Sequence, residues 1–251
     1  MVLAGQYLER SAVVGDLDAL YHRGTREPPC AIAAPHPALG GSMSSPVVAE
    51  LAWALTRAGH PTMRFDYRGV GASRGTSRHP AGSLAIGDLR DEVADLLSVC
   101  EHLLATTGMG KACAVGYSFG AAVALEAAGD PRIGSVVLIA PPTRLYDFGA
   151  LAGIGKPALV VCAHQDEYAD RAALKITAAT ALEVVAHSDH FFSRGLTELG
   201  KTVAQWVRGG REEYVAPPDG GSAPSRDLDL PEGDDPPLEL DRDPKSSPCV
   251  P

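Results

Sequence analysis

With 251 residues and 45% hydrophobic content, the chain can bury one large core, and its formal net charge is −9. Eleven acidic and four basic side chains lie from Arg211 onward, which leaves residues 1–210 at a net charge of only −2. The acidity therefore says little about a substrate, and with no basic patch nucleic acid is not an expected partner.

Residues 11–22 read as a hairpin, Ser11–Val14 and Leu17–His22 about Gly15-Asp16. Strand and helix signals then alternate. Strands are expected over Cys30–Ala34, Thr62–Phe65, Lys111–Val115, Ser135–Ala140, Ala158–Cys162 and Leu182–Ala186. Helices are expected over Val47–Ala58, Ile86–Leu104, Ala121–Ala128, Tyr168–Ala179 and Ser193–Val207. Continuous apolar strands between helices predict a mainly parallel sheet covered on both faces, with the hairpin adding antiparallel strands at one edge. From about Gly209 the composition changes, and nine of the 20 prolines fall between Pro217 and Pro251. Such a segment cannot offset the entropy of ordering, so the expected organisation is one α/β domain over 1–210 and a disordered tail over 211–251.

Five cysteines (Cys30, Cys100, Cys113, Cys162, Cys249) are scattered without metal-type spacing. The start of the chain lacks the basic residues and apolar run of a signal peptide, and no stretch approaches the roughly 20 apolar residues of a membrane span. A cytoplasmic protein with no membrane partner is expected. No His-x-x-x-His pair or Cys/His cluster occurs among the eight histidines, so neither metal nor cofactor is expected. Two glycine-rich stretches resemble phosphate loops only superficially. Gly69-Val70-Gly71-Ala72-Ser73-Arg74-Gly75 has its third glycine one position late, and Gly108-Met109-Gly110-Lys111 precedes a strand instead of following one.

Gly116-Tyr117-Ser118-Phe119-Gly120 is the chemical centre of the sequence. A Gly-x-Ser-x-Gly between a strand and a helix makes a tight turn that aims the serine outward and leaves the N–H of Phe119 at the helix start, where it can bind an oxyanion. A serine hydroxyl needs a base, and the base needs an orienting acid. Asp166, after the strand ending at Cys162, and His190, after the strand ending at Ala186, supply them in that order. Glu167 and His187 are the rivals, the latter emerging straight from its strand. His22, His60, His79 and His102 are read as surface or core residues. The second oxyanion donor is expected in Ala34-Pro35-His36-Pro37-Ala38-Leu39-Gly40-Gly41. Pro35 and Pro37 have no N–H, which leaves His36 as the donor and Ala38 as runner-up. Phe191 is expected to wall the pocket, and Leu145, Tyr146 and Phe148 either to wall it or to pack against the end of the sheet.

His36-Pro37-x-x-Gly40-Gly41, Arg64-Phe65-Asp66-Tyr67-Arg68-Gly69-Val70-Gly71-x-Ser73, the serine pentapeptide, Ala140-Pro141-Pro142 and Asp189-His190-Phe191-Phe192 together resemble the small, lidless α/β-hydrolases related to dienelactone hydrolases and serine aminopeptidase-type hydrolases. The resemblance covers roughly residues 11–208 and departs at Ala34, where relatives often carry a histidine. It implies an α/β-hydrolase fold without a cap domain and an acyl-enzyme mechanism on a small ester, thioester or peptide-like amide, with a small molecule as the partner. It implies no catalytic role for Asp66 or Arg68. A non-catalytic binding scaffold and an acyltransferase are the alternatives, and the oligomeric state is left open.

Overall fold

Short apolar runs separated by glycine and proline make the sheet on which the rest of the chain is hung. The computed structural model describes residues 9–79 and 88–209. The tail expected over 211–251, Cys249 and the first two residues of the helix expected from Ile86 lie outside them. Strands β1 (Glu9–Val14) and β2 (Leu17–His22) form the expected hairpin. They are followed by β3 (Cys30–Ala33), β4 (Thr62–Phe65), β5 (Ala112–Tyr117), β6 (Ile133–Ile139), β7 (Ala158–Gln165) and β8 (Thr180–Asp189). The helices are α1 (Pro46–Arg57), α2 (Arg90–Thr107), α3 (Phe119–Ala127) and α4 (Leu196–Gly209).

All eight strands join one sheet in the order β1-β2-β4-β3-β5-β6-β7-β8. The strand β2 is antiparallel to β1 and β4, and every later pairing is parallel. Every residue of β3, β4 and β5 is buried, which is why β3 and β5 read as unbroken apolar runs instead of alternating ones. The chain leaves β3 toward β4 through α1 and returns past it to β5 through α2. Crossovers of one hand running in opposite directions put their helices on opposite faces. Accordingly α1 packs with α4, and α2 packs with α3. Two strands feeding connections in opposite directions leave a crevice beyond their carboxyl ends, and here those strands are β3 and β5.

One expected helix does not form. Over Tyr168–Ala179 the chain makes a single 3₁₀ turn, Arg171–Ala173, opened by the Asp170 side chain, which accepts the N–H of Ala172 at 3.0 Å. Leu174 is buried, whereas Lys175 and Ile176 beyond the turn are exposed. Between β6 and β7 there is only a 3₁₀ turn, Gly149–Gly153, with no inserted lid. Cys30, Cys100, Cys113 and Cys162 are buried and none is bridged. Among the described residues no helix is long and apolar enough to cross a membrane.

Candidate active site

Ser118 stands at the abrupt turn from β5 into α3, with φ 55° and ψ −116°. L-residues rarely occupy that region, so the surrounding backbone must hold it. It does so through the Ser118 N–H, which donates to the Ile139 carbonyl at 2.8 Å, and through the Ser118 carbonyl, which accepts from Ala121 at 2.9 Å. Two glycines make the turn possible by leaving space. A Cβ on Gly116 would sit 1.9 Å from the Gly120 oxygen, and one on Gly120 would sit 2.4 Å from the Ala33 oxygen. Because α3 begins at Phe119, the Phe119 N–H is one of the unpaired amides of a helix N-terminus.

The other two residues arrive by the same device. Asp166 is the first residue past β7 and His190 the first past β8. A register shift between Ala163 and Gln165 pairs Gln165 with Asp189, so the two strands end side by side. Bulges of this kind re-aim side chains beside functional sites. His190 Nδ1 lies 2.9 Å from Asp166 Oδ2, and His190 Nε2 lies 2.9 Å from Ser118 Oγ. The second Asp166 oxygen accepts the N–H of Tyr168 at 2.9 Å, and the Tyr117 hydroxyl donates to the His190 carbonyl at 3.1 Å. Burial pushes the Tyr117 hydroxyl well above the ordinary tyrosine range, which keeps it a donor. The rivals Glu167 and His187 are both exposed. His187 is a residue of β8, which runs three residues further than expected.

Beyond β3 the chain forms a small 3₁₀ turn over Pro37–Leu39. The Leu39 and Gly41 amides donate to the His36 carbonyl, and the Ala38 amide donates to His36 Nδ1 at 3.2 Å. Of the two candidate donors at the tip, Ala38 is thus already engaged, and His36 N–H has no hydrogen-bond partner among the described residues. The far end of this loop is clamped at Met43, whose N–H donates to Asp66 Oδ1 at 2.7 Å and whose carbonyl accepts from Arg64 Nη1 at 2.6 Å. Burial raises the Asp66 carboxyl above the usual carboxylate range, and Arg64 is in turn paired with Glu9. Sequence reasoning gave Asp66 no catalytic role and did not weigh Arg64. The readable signal was two charged residues flanking Phe65 in an otherwise buried strand.

Ser118 and His190 open onto a cavity of about 390 Å³. Leu145, Tyr146 and Phe191 line it, together with Leu39, Pro46 and Tyr168. Phe148 does not. It is 2% exposed and packs into the core beneath. No Asp, Glu, Lys or Arg is among the described lining residues. A larger cavity, about 610 Å³, lies at the opposite ends of β7 and β8 beside Lys156 and Trp206, remote from this chemistry. Among the described residues no three His, Cys, Asp or Glu are grouped to hold a metal ion.

The profile of the serine aminopeptidase family, S33, matches residues 36–152, from the turn after β3 through Ser118 but short of Asp166 and His190. An uncharacterised protein of Rickettsia prowazekii is 27% identical over 159 residues, which are 61% of this chain and 63% of the relative. The chain thus spans less than two thirds of that curated relative. Two solved structures resemble most of the chain. An α/β serine hydrolase homologue from Coxiella burnetii is 27% identical with a TM-score of 0.67, covering 82% of this chain and 98% of that one. A lidless α/β serine hydrolase from Xanthomonas campestris is 28% identical with a TM-score of 0.66, covering 80% and 94%. With its sheet order, its strand-to-helix serine turn and these likenesses, the chain has the α/β-hydrolase fold and is similar to the lidless members of that superfamily.

Proposed function

We propose that this protein is a serine hydrolase that works through an acyl-enzyme. The observation that carries the reading is the unbroken pair of 2.9 Å contacts from Ser118 Oγ through His190 to Asp166, at the floor of an open cavity. His190 takes the proton of Ser118 as Oγ attacks a carbonyl, and Asp166 holds the imidazole in the required tautomer and stabilises its charge. The oxyanion forms against the N–H groups of Phe119 and His36. His190 then protonates the leaving group and draws a proton from water, which releases the acyl group. The likeness to a hydrolase without a lid agrees with an open site that water reaches freely.

The lining favours small, uncharged esters and thioesters over free peptide amino-termini. A buried ammonium needs a carboxylate partner, and no acidic side chain is among the described lining residues. A fluorophosphonate probe tests the reading directly. The wild type should label covalently and hydrolyse p-nitrophenyl esters, and Ser118→Ala should do neither while remaining folded. A folded wild type that resists the probe would overturn the proposal and favour a non-catalytic binding role. Turnover of an ester only with an added alcohol or amine would identify an acyltransferase.

A further inference from the structure

The reaction just described uses the backbone of His36 and leaves its imidazole without a task. The imidazole is nevertheless built into the oxyanion turn. Its Nδ1 accepts the amide of Ala38, two residues on, at 3.2 Å. Its ring lies 4.7 Å, centroid to centroid, from the ring of Phe119, whose N–H is the opposite oxyanion donor. A third neighbour is His79, whose ring meets it edge-on at 4.9 Å. His79 Nε2 lies 3.3 Å from Glu92 Oε1 on α2.

All three side chains are at least nine-tenths buried: His36 is 5% exposed, His79 7% and Glu92 1%. Among the described residues, His36 Nε2, His79 Nε2 and Glu92 Oε2 have no hydrogen-bond partner. Burying polar atoms this way is destabilising, and apolar side chains would fill the space better if packing were the only requirement. The contact with Ala38 also dictates chemistry. An amide can donate only to an unprotonated nitrogen, so the His36 ring must be neutral with its hydrogen on Nε2. Burial above all, and His79 beside it, lower the His36 imidazole to about 4, which keeps it in that form.

We propose that the His36 side chain, backed by His79 and Glu92, is a positioning residue for the oxyanion turn. The tip of that turn has only two amides, because Pro35 and Pro37 have none. By capturing the Ala38 amide, the imidazole leaves the His36 amide as the one presented to substrate. By packing on Phe119, it sets the spacing between the two donors. Tyr67 and Tyr146 enclose the other sides of the Phe119 ring, at 5.8 Å and 5.9 Å, so the ring has little room to shift. This inference rests on the serine-hydrolase reading above.

Two substitutions separate the nitrogens of the ring. In His36→Asn the side-chain oxygen stands close to the position of Nδ1 and can accept an N–H two residues on, as in an Asx turn. In His36→Gln the polar atoms reach toward Nε2 and Ala38 loses its acceptor. Both variants are polar and of similar bulk, so a general packing defect would affect them alike. With a p-nitrophenyl ester, His36→Gln should lower kcat by about 10- to 100-fold, less than deleting a donor outright. KM should stay within about 2-fold of wild type, and His36→Asn should recover kcat to within about 5-fold. The second-order rate of fluorophosphonate labelling should fall in parallel, because the phosphoryl oxygen uses the same donors. Amide exchange at Ala38, followed by NMR, should be slow in wild type and His36→Asn and fast in His36→Gln. An active wild type in which the two variants are equally impaired, or His36→Gln is the faster, overturns this inference alone. A wild type protected at Ala38 but inert to ester and probe overturns the hydrolase reading and this inference with it.

Discussion

Adding one methyl group at Gly120 should damage catalysis more than folding. The Cβ of Gly120→Ala would stand 2.4 Å from the Ala33 oxygen, 2.7 Å from the Ala34 oxygen and 2.8 Å from the Ala33 carbon, all of them backbone. Ordinary contact begins at 3.4 Å, so the start of α3 must withdraw from the end of β3 by about 1 Å. Phe119 rides on α3 and His36 on the loop after β3, so that movement widens the gap between the two proposed oxyanion donors. A misplacement of about 1 Å can cost on the order of 10² in rate. Overpacking of this kind typically costs about 1–3 kcal/mol of stability, which a domain of this size can survive. The variant should therefore unfold in urea as a folded protein does, at a lower midpoint, and hydrolyse a p-nitrophenyl ester about 100-fold more slowly with little change in KM. Gly129→Ala is the control. It lies just beyond the same helix, a Cβ there meets nothing within 4 Å, and both properties should be unchanged. The reasoning fails if Gly120→Ala keeps its kcat to within about 3-fold, or if Gly129→Ala is impaired as much.

Tyr117→Phe removes the donor to the His190 carbonyl, leaving a buried acceptor unpaired, and should cost about 1–3 kcal/mol in urea unfolding. It should also slow turnover several-fold as the imidazole loosens; stability within about 0.5 kcal/mol of wild type would deny the bond a structural role. His36 also predicts how stability depends on pH. Its folded value is about 4 against an ordinary 6.5, so below pH 6.5 the unfolded chain binds a proton that the folded chain refuses. Stability should hold above pH 6.5 and decline toward pH 4, by up to about 1.4 kcal/mol per pH unit from this group. Urea unfolding of wild type and His36→Asn at pH 7, 5.5 and 4.5 checks it, and identical slopes would remove His36 from the account.

What could be read in the sequence follows a physical line. The strands β3, β5, β6 and β7 lie inside the sheet and are largely apolar on both faces, so composition alone marks them to within a few residues. Ser118, Asp166 and His190 were legible because each directly follows a strand, where order along the chain maps onto order across the sheet. Tyr168–Ala179 was misread because its alanines favour a helix while Asp170 caps a turn of only three residues. Phe148 was placed in the pocket because chain proximity to Leu145 and Tyr146 does not reveal which side of a loop is buried. The His36–His79–Glu92 cluster was invisible for a different reason. His36 and His79 are 43 positions apart, with Glu92 on α2, and only the packing of that helix against the sheet brings the three together.

The place of β8 has a consequence for how the protein fails. It is the last strand of the sheet, bonded only to β7, and Leu182 and Val184 on it are 39% and 38% exposed. Margins of a sheet open at lower free energy than its centre. Ser118 is anchored at that centre, between β5 and β6, while His190 follows the marginal strand and is tied inward by the Tyr117 hydroxyl, Asp166, Ser118 and the ring of Tyr168. Mild heat or denaturant should therefore part His190 from Ser118 while the inner strands still stand, so that ester turnover is lost before the fold is.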